Sequence, residues 1–311
     1  MATLEIMAAY ISNEASPLGM LLIVGGSGFV GRHMRRRLTP GTFVATFNAA
    51  PFEGGVHFDA LSTLPEALLD EAGPVTNAVL LQGDTQPDSC YNDPERSNAL
   101  NVDSIVSMAD ALRERGIRPI FVSSEFVFDG IQGRYTETDQ ANPQLLYGRQ
   151  KRAVERHLEA SHADFAILRL AKVYGEELGD GTLATGFIDT IRRERVIRCA
   201  TDQYFSPVHV NDVVTAILAV AARSLCGIYH VAGPERLSRM DCLESMLAAL
   251  ASYERTETVL EACSIRDFDL PEPRPLDVSL CVDKLISETG NELHTIAGSC
   301  ARIAAAAAVT I

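Results

Sequence analysis

Leu21-Leu22-Ile23-Val24-Gly25-Gly26-Ser27-Gly28-Phe29-Val30-Gly31, followed by Arg32-His33-Met34, is the stretch that decides the fold. Four consecutive apolar residues predict a buried parallel strand. The glycines then turn the chain into a helix: Gly25 permits the tight turn, Gly28 lets a pyrophosphate approach the backbone, and Gly31 lets helix and strand pack closely. Free N–H groups at the helix start face the phosphates. A glycine-rich turn alone is weak evidence, because many turns need a positive φ. Its place between a strand and a helix makes a dinucleotide site the better reading. Ser27, Phe29, Val30 and Arg32 join the three glycines as candidate cofactor contacts.

Strands and helices alternate beyond this stretch. Residues 42–47, 56–58, 78–81, 119–122 and 165–170 predict five further strands, and residues 64–71, 94–115 and 147–160 predict helices between them. The alternation predicts an α/β fold, a doubly wound parallel (Rossmann) sheet. Ligands of such sheets bind outside the carboxyl ends of the strands, where Ser123 and Ser124 emerge. Asn48 closes the second strand, at the place where an acid would grip the ribose 2′-OH of NAD. The missing acid favours NADP(H) and leaves NAD(H) open. Arg32, Arg35 and Arg36 are candidate phosphate partners, against the alternative of a solvated helix face. Asp59 ends the third strand within reach of an adenine edge, and Gln82 opens a polar loop, 83–93, that lines the cofactor.

Composition sets the outer bounds. The 311 residues suffice for a large domain with a smaller lobe, and 47% hydrophobic with 22% charged residues is ordinary for a globular chain. A net charge of −14 argues against a nucleic-acid partner. Seven scattered cysteines without a C-x-x-C fit a reducing cytoplasm and offer no metal site. Residues 1–19 contain Glu5 and Glu14 and lack a basic, apolar pattern, so no signal peptide is expected, and Met20 directly before the first strand marks them as a dispensable extension. The alanine run 304–308 is too short to span a bilayer, and no membrane partner is expected.

Tyr147-Gly148-Arg149-Gln150-Lys151 opens a predicted helix and sets Tyr147 and Lys151 on one face. A phenol beside an ammonium is a competent proton donor to a carbonyl. With eight Tyr and three Lys in 311 residues, chance supplies roughly 0.08 such pairs. Ser124, at the end of the fifth strand, adds a hydroxyl for the same carbonyl, and Glu125 and Phe126 directly after it are candidate substrate contacts.

The set resembles the extended short-chain dehydrogenase/reductases, whose cofactor turn is spaced Gly-x-x-Gly-x-x-Gly. Within them, Val122-Ser123-Ser124-Glu125-Phe126-Val127-Phe128-Asp129-Gly130 is similar to the dTDP-4-dehydrorhamnose reductase branch, which carries a Ser-Thr-Asp-Tyr-Val-Phe-Asp-Gly run there. Asn101-Val102, Tyr229-His230-Val231-Ala232-Gly233-Pro234 and Arg274-Pro275-Leu276 extend the match from Met20 to about Leu285. The resemblance implies that Ser124 polarises a carbonyl and Tyr147 donates the proton. Lys151 would hold the nicotinamide ribose and lower the Tyr147 pKa. It also implies a nucleotide-sugar substrate, a homodimer as one assembly, and a reductase of a nucleotide-linked 4-keto-6-deoxy sugar. Leu81-Gln82-Gly83-Asp84 departs from the Ala-rich sequence the family often carries there.

The implied domain runs over residues 20–174, completed by about 206–232, with 175–205 and 233–311 forming a small substrate-binding lobe. Arg198 and Arg274 are the candidates for a substrate phosphate, since a guanidinium fork suits that task. Asn211 is the expected cap of a helix, His209 a structural residue, and Ser238-Arg239-Met240-Asp241 a capping-box start. The branch also contains a non-catalytic relative, the regulatory β subunit of methionine adenosyltransferase. Competing functions are therefore a sugar-nucleotide epimerase, a ketoreductase of a non-sugar substrate, and a cofactor-binding regulatory subunit. Dehydration is disfavoured, because Phe126 stands where family dehydratases carry a second acid.

Overall fold

The computed structural model describes residues 19–309, so the expected extension lies almost wholly outside the described residues. In chain order the first half runs β1 (Leu21–Val24), α1 (Phe29–Arg37), β2 (Phe43–Phe47), β3 (Val56–His57), α2 (Pro65–Ala72), β4 (Asn77–Leu80), α3 (Pro87–Asn92), α4 (Pro94–Asn98), α5 (Ser104–Glu114), β5 (Arg118–Ser124), α6 (Leu146–Ser161) and β6 (Ala166–Leu170). The second half runs β7 (Val173–Tyr174), α7 (Leu183–Arg193), β8 (Val196–Ala200), β9 (Tyr204–Phe205), β10 (Val208–His209), α8 (Val210–Ala222), β11 (Gly227–Val231), β12 (Leu237–Ser238), α9 (Arg239–Leu250), β13 (Val259–Cys263), α10 (Asp283–Thr289) and α11 (Ile296–Val309).

Seven parallel strands form the central sheet in the order β11-β6-β5-β4-β1-β2-β3. Strand alternation divides its core. Leu21 and Ile23 of β1 face one hydrophobic layer with Val79, Ile120, Leu168 and α8, whereas Leu22 and Val24 face the other with Leu80, Phe121, α2, α5 and Val154 of α6. Each fully buried Leu, Ile or Val contributes about 1.5–3 kcal/mol, so both faces of the strands must be apolar. A third cluster, built from α7, α9 and α11 with Tyr174, Phe205 and Val278, is the core of the lobe. Leu280, Val282 and Leu285 pack against the sheet layer and not in the lobe.

The structure corrects two local expectations. Residues 94–115 are not one regular helix: α4 and α5 flank a π-helical turn, Ala99–Asp103. The turn swings the Asn101 side chain inward to three partners, which a regular helix would not offer, and such insertions gather at functional sites. The cap of α8 is His209, whose Nδ1 accepts the Asn211 N–H at 3.2 Å, and not Asn211. The capping box of α9 is present, with reciprocal Ser238 and Asp241 bonds of 3.0 and 2.7 Å.

One buried ion pair ties α6 to the sheet. Glu155 is completely buried and accepts from Arg169 Nε and Nη2 at 3.0 and 2.8 Å and from Ser123 Oγ at 2.6 Å. Removing one partner of a buried pair strands the other charge. Glu155→Ala is expected to cost about 3–5 kcal/mol in urea unfolding, against less than about 1 kcal/mol for the solvent-exposed partner swap Arg193→Ala. Equal effects would show that the Glu155 contacts carry no special weight.

Candidate functional site

The glycine turn is held in place from its neighbouring strands. Gly25 has φ +95°, a conformation that side chains disfavour, and its N–H donates to Thr46 Oγ1 at 3.0 Å. A Cβ on Gly31 would sit 2.5 Å from the Gly25 carbonyl oxygen, so only glycine allows this closeness of helix to turn. Gly28 caps α1 without a side-chain hydrogen bond, and no acid lies in the first turn, so the positive helix end is open to an anion. Beside it, the Arg32 Nε and both amide atoms of Gln82 are buried without hydrogen-bond partners. An uncapped helix end and orphaned polar groups are what a dinucleotide's phosphates and ribose would satisfy, so the residues present fit NAD(P).

The selector residues divide. Asn48 is exposed just past β2. Arg35 donates from Nε to the Gly26 carbonyl at 2.9 Å and lies 3.4 Å over the Phe52 ring. Arg36 is instead taken by Glu177. The Asp59 carboxylate is occupied locally by the Leu61 N–H at 3.1 Å and Ser62 Oγ at 2.9 Å, bonds that lower its pKa. Thr46 and Phe52 escaped the sequence reading, since neither belongs to a spaced motif.

At the carboxyl end of β5, Ser124, Tyr147 and Lys151 come together. Tyr147 rises from the first turn of α6 with its ring buried, 6.3 Å edge-on to Phe126. Burial pushes its phenol above the usual value, and hydrogen bonding with Ser124 counteracts this only in part. Lys151 Nζ donates to the Val122 carbonyl at 3.0 Å and stands 5.7 Å from the Tyr147 ring centre. Burial draws its ammonium down to about 8. The expected lowering of the Tyr147 pKa is therefore corrected: desolvation outweighs it and holds the phenol protonated through neutral pH. Ser124 Oγ also accepts the Phe126 N–H at 3.2 Å, which fixes the short helical turn Glu125–Val127.

A second polar layer supports this group. Asn101 Nδ2 donates to the Asp84 carbonyl at 3.0 Å and to Gln150 Oε1 at 2.9 Å, and its Oδ1 accepts the Asp84 N–H at 2.8 Å. It thereby joins the loop after Gln82 to α6. From the lobe, Glu272 accepts the Leu146 N–H at 2.9 Å and caps the start of α6, which has no capping side chain of its own. Arg274 spans from the Glu272 carbonyl, 3.0 Å away, to Asp88 of α3. Its fork is thus engaged by protein. Arg198 is not brought near: it lies exposed on β8 opposite Glu261 of β13, at 4.0 Å. Glu125 is buried and its carboxyl is pushed up to about 8 by desolvation, with Lys172 opposing. Among the described residues, His209, Asp212 and His294 form one cluster of metal-ligand type. Sequence spacing hid it, because His294 lies far along the chain. The two rings stack at 4.4 Å and His294 Nδ1 meets Asp212 Oδ1 at 2.6 Å, an internally satisfied arrangement.

The profile of the family described as RmlD substrate binding domain matches residues 19–308. The chain is 30% identical over 227 residues to the protein named Probable low-salt glycan biosynthesis reductase Agl14 of Haloferax volcanii, covering 71% of this chain and 74% of that one. It is 27% identical over 244 residues to methionine adenosyltransferase 2 subunit beta of Xenopus laevis, covering 75% and 72%. The fold is similar, with TM-score 0.79 and 20% identity over 92% of this chain and 98% of the other, to a dTDP-4-dehydrorhamnose reductase of Bacillus anthracis in complex with NADP. No helix among the described residues is long and apolar enough to cross a membrane.

Two outcomes follow for stability. Glu272→Ala removes the cap of α6 and should cost about 0.5–2 kcal/mol in urea unfolding; an unchanged midpoint would show the cap is idle. Folded Glu125 keeps a proton that the unfolded chain, with its carboxyl near 4.5, releases below the folded value of about 8. Its contribution is full below the unfolded value and is lost as pH rises through the folded one. Wild type should therefore lose stability relative to Glu125→Gln across that window, and parallel pH profiles would contradict this.

Proposed function

The chain belongs to the RmlD substrate binding domain family, and from that premise we propose that it is an NAD(P)H-dependent reductase of a ketone on a nucleotide-linked 4-keto-6-deoxy sugar. The observation that carries this reading is the apposition of Ser124, Tyr147 and Lys151 at the end of β5, beside an uncapped helix start and the orphaned Gln82 amide. Gly25, Ser27, Gly28, Phe29, Val30, Gly31, Arg32 and Gln82 would hold the cofactor, which supplies the hydride when bound. Ser124 orients and polarises the carbonyl oxygen. Tyr147 gives that oxygen its proton, remaining protonated through neutral pH because of its burial. Lys151, anchored on the Val122 carbonyl, places a positive charge beside the phenolate left behind.

The choice of NADP(H) over NAD(H) follows from Asn48 in place of an acid, with Arg35 lying over Phe52 nearby. A second reading, a cofactor-binding regulatory subunit, has its own support in the 27% identity to a methionine adenosyltransferase subunit. The same experiment separates the two.

NADPH and NADH oxidation should be followed by loss of reduced-nicotinamide absorbance with dTDP-4-keto-6-deoxyglucose and its epimers as substrates. Turnover that falls about 10²–10⁴-fold in Tyr147→Phe, with the calorimetric NADPH affinity unchanged, is the expected result. NADPH binding without oxidation of any of these ketones would favour the regulatory subunit. Asn48→Asp should move preference toward NADH, and an unmoved ratio would mean the residue does not face the ribose.

A further inference from the structure

The spacing that singles out Tyr147 and Lys151 leaves the residues between them unassigned. Gln150 is one of these, buried in α6 directly beside Lys151. An apolar side chain could fill the same space with no polar group to desolvate. What the amide adds is direction. That direction can be read from both ends of a buried chain of hydrogen bonds. At one end, the Ser97 hydroxyl of α4 points its proton at the Cys90 and Pro94 carbonyls, 3.1 and 3.2 Å away. It is therefore left to accept from Gln150 Nε2, at 2.8 Å. Gln150 Oε1 is thereby turned toward Asn101 of the π turn, whose Nδ2 donates to it at 2.9 Å. At the other end, the Asp84 N–H is a backbone donor that cannot be reversed, and it fixes Asn101 Oδ1 at 2.8 Å. Read from either end, each amide has the same sense.

Beyond Asn101 the chain of bonds enters the loop that Gln82 opens. Asn101 holds both backbone groups of Asp84, the N–H at 2.8 Å and the carbonyl at 3.0 Å. The Asp84 carboxylate in turn accepts the Gln86 N–H at 3.0 Å, which carries the constraint to the start of α3. The fit is close, since a Cβ on Gly83 would sit 2.8 Å from Asn101 Oδ1. Asn101 Nδ2 has two hydrogens: one serves the Asp84 carbonyl, and Gln150 Oε1 receives the other. Gln150 is thus the polar link from this loop to α6. Tyr147 rides on α6, whereas Gln82 and the glycine turn lie on the β4 and β1 side. The relative place of proton donor and cofactor residues therefore depends on how these two sides are joined.

We propose that Gln150 is a positioning residue: its amide, oriented by Ser97, carries the position of α6 to Asn101 and the loop after β4, and so sets the Tyr147 phenol against the cofactor side of the site. The proposal rests on the reductase reading above. Gln150 touches neither substrate nor cofactor and acts through Asn101. Misplacement of reacting groups by about 1 Å costs on the order of 10²-fold in rate, so a tie of this kind is felt in the chemical step more than in binding.

The test compares the full chain as wild type, Gln150→Met and Ser97→Ala. Amide hydrogen exchange is read at Asp84, and oxidation of NADPH by dTDP-4-keto-6-deoxyglucose is followed with and without deuterium at the transferred position. Gln150→Met should speed exchange at Asp84 about fivefold or more. It should also lower kcat about 10–100-fold, with the KM for the ketone little changed and a larger isotope effect. Ser97→Ala frees the far end of the amide alone; it should act in the same direction to a lesser degree, and it carries the test should melting curves show Gln150→Met unfolded. Unchanged exchange at Asp84 overturns the tie. Faster exchange with kcat and isotope effect unmoved overturns its part in the reaction. A lower kcat with an unmoved isotope effect does the same, because it marks lost enzyme and not a misplaced donor. Absence of wild-type turnover overturns the reductase reading, and the part of Gln150 in the reaction falls with it.

Discussion

The Glu155 carboxylate is the fixed point on which the arrangement of the site depends. Tyr147, Lys151 and Glu155 recur every fourth residue of α6 and so share one stripe. Their environments differ along that stripe. Glu155 is sealed beneath Arg169 of β6 and Ser123 of β5, while Arg152 reaches its other oxygen at 3.1 Å. Lys151 finds the Val122 carbonyl, also on β5. Because Ser123 and Val122 precede Ser124 on the same strand, these contacts set the rotation and height of α6 against the end of β5. A carboxylate with this many donors resists any slide of the helix, since each displaced donor would leave buried charge unpaired. Tyr147 reaches Ser124 because the helix below it has one seat.

The other end of α6 is held from outside the sheet. Glu272 of the lobe caps Leu146, and Arg274 carries the same loop across to Asp88 of α3. Asn101 then links the loop after β4 to Gln150 of α6. Polar contacts therefore tie the lobe loop and the loop after β4 directly to one helix, and Arg274 joins α3 to that lobe loop. Polar ties of this kind depend on geometry, so a small movement of the lobe loop would be felt at the first turn of α6. That turn carries the phenol.

The fold was legible because its signals are periodic or local. Apolar strands, a strand–turn–helix with three spaced glycines, and the Tyr147–Lys151 pair each lie within a dozen residues. Failures came where a side chain's partner is remote. Arg36 and Arg274 are each candidates for a phosphate by sequence, Arg36 against the alternative of a solvated helix face, yet Glu177 and Asp88 pair with them. Glu155 passed unnoticed, although an acid on the buried stripe of an amphipathic helix is itself a signal that a cation lies opposite. The π turn at Asn101 was hidden for a different reason. The amphipathic spacing of that segment reads as one continuous helix, whereas the partners that Asn101 meets at the turn, Asp84 and Gln150, lie on other elements.

Burial near Tyr147 acts on both members of the pair at once. Water exclusion raises the phenol and lowers the ammonium to about 8, because each of these shifts favours the neutral form. Before proton transfer the pair carries the single charge of Lys151, held by the Val122 carbonyl dipole. In the reaction proposed above, once the phenol had given its proton to a carbonyl oxygen, a phenolate and an ammonium would face each other across the same buried space. Their attraction grows as the local dielectric falls, so the desolvation that disfavours an isolated phenolate also strengthens the interaction that stabilises it. The gain exists only once the proton has moved. A phenol that is a weak acid at rest therefore becomes a good donor when a carbonyl is poised to accept, and it stays closed to solvent otherwise.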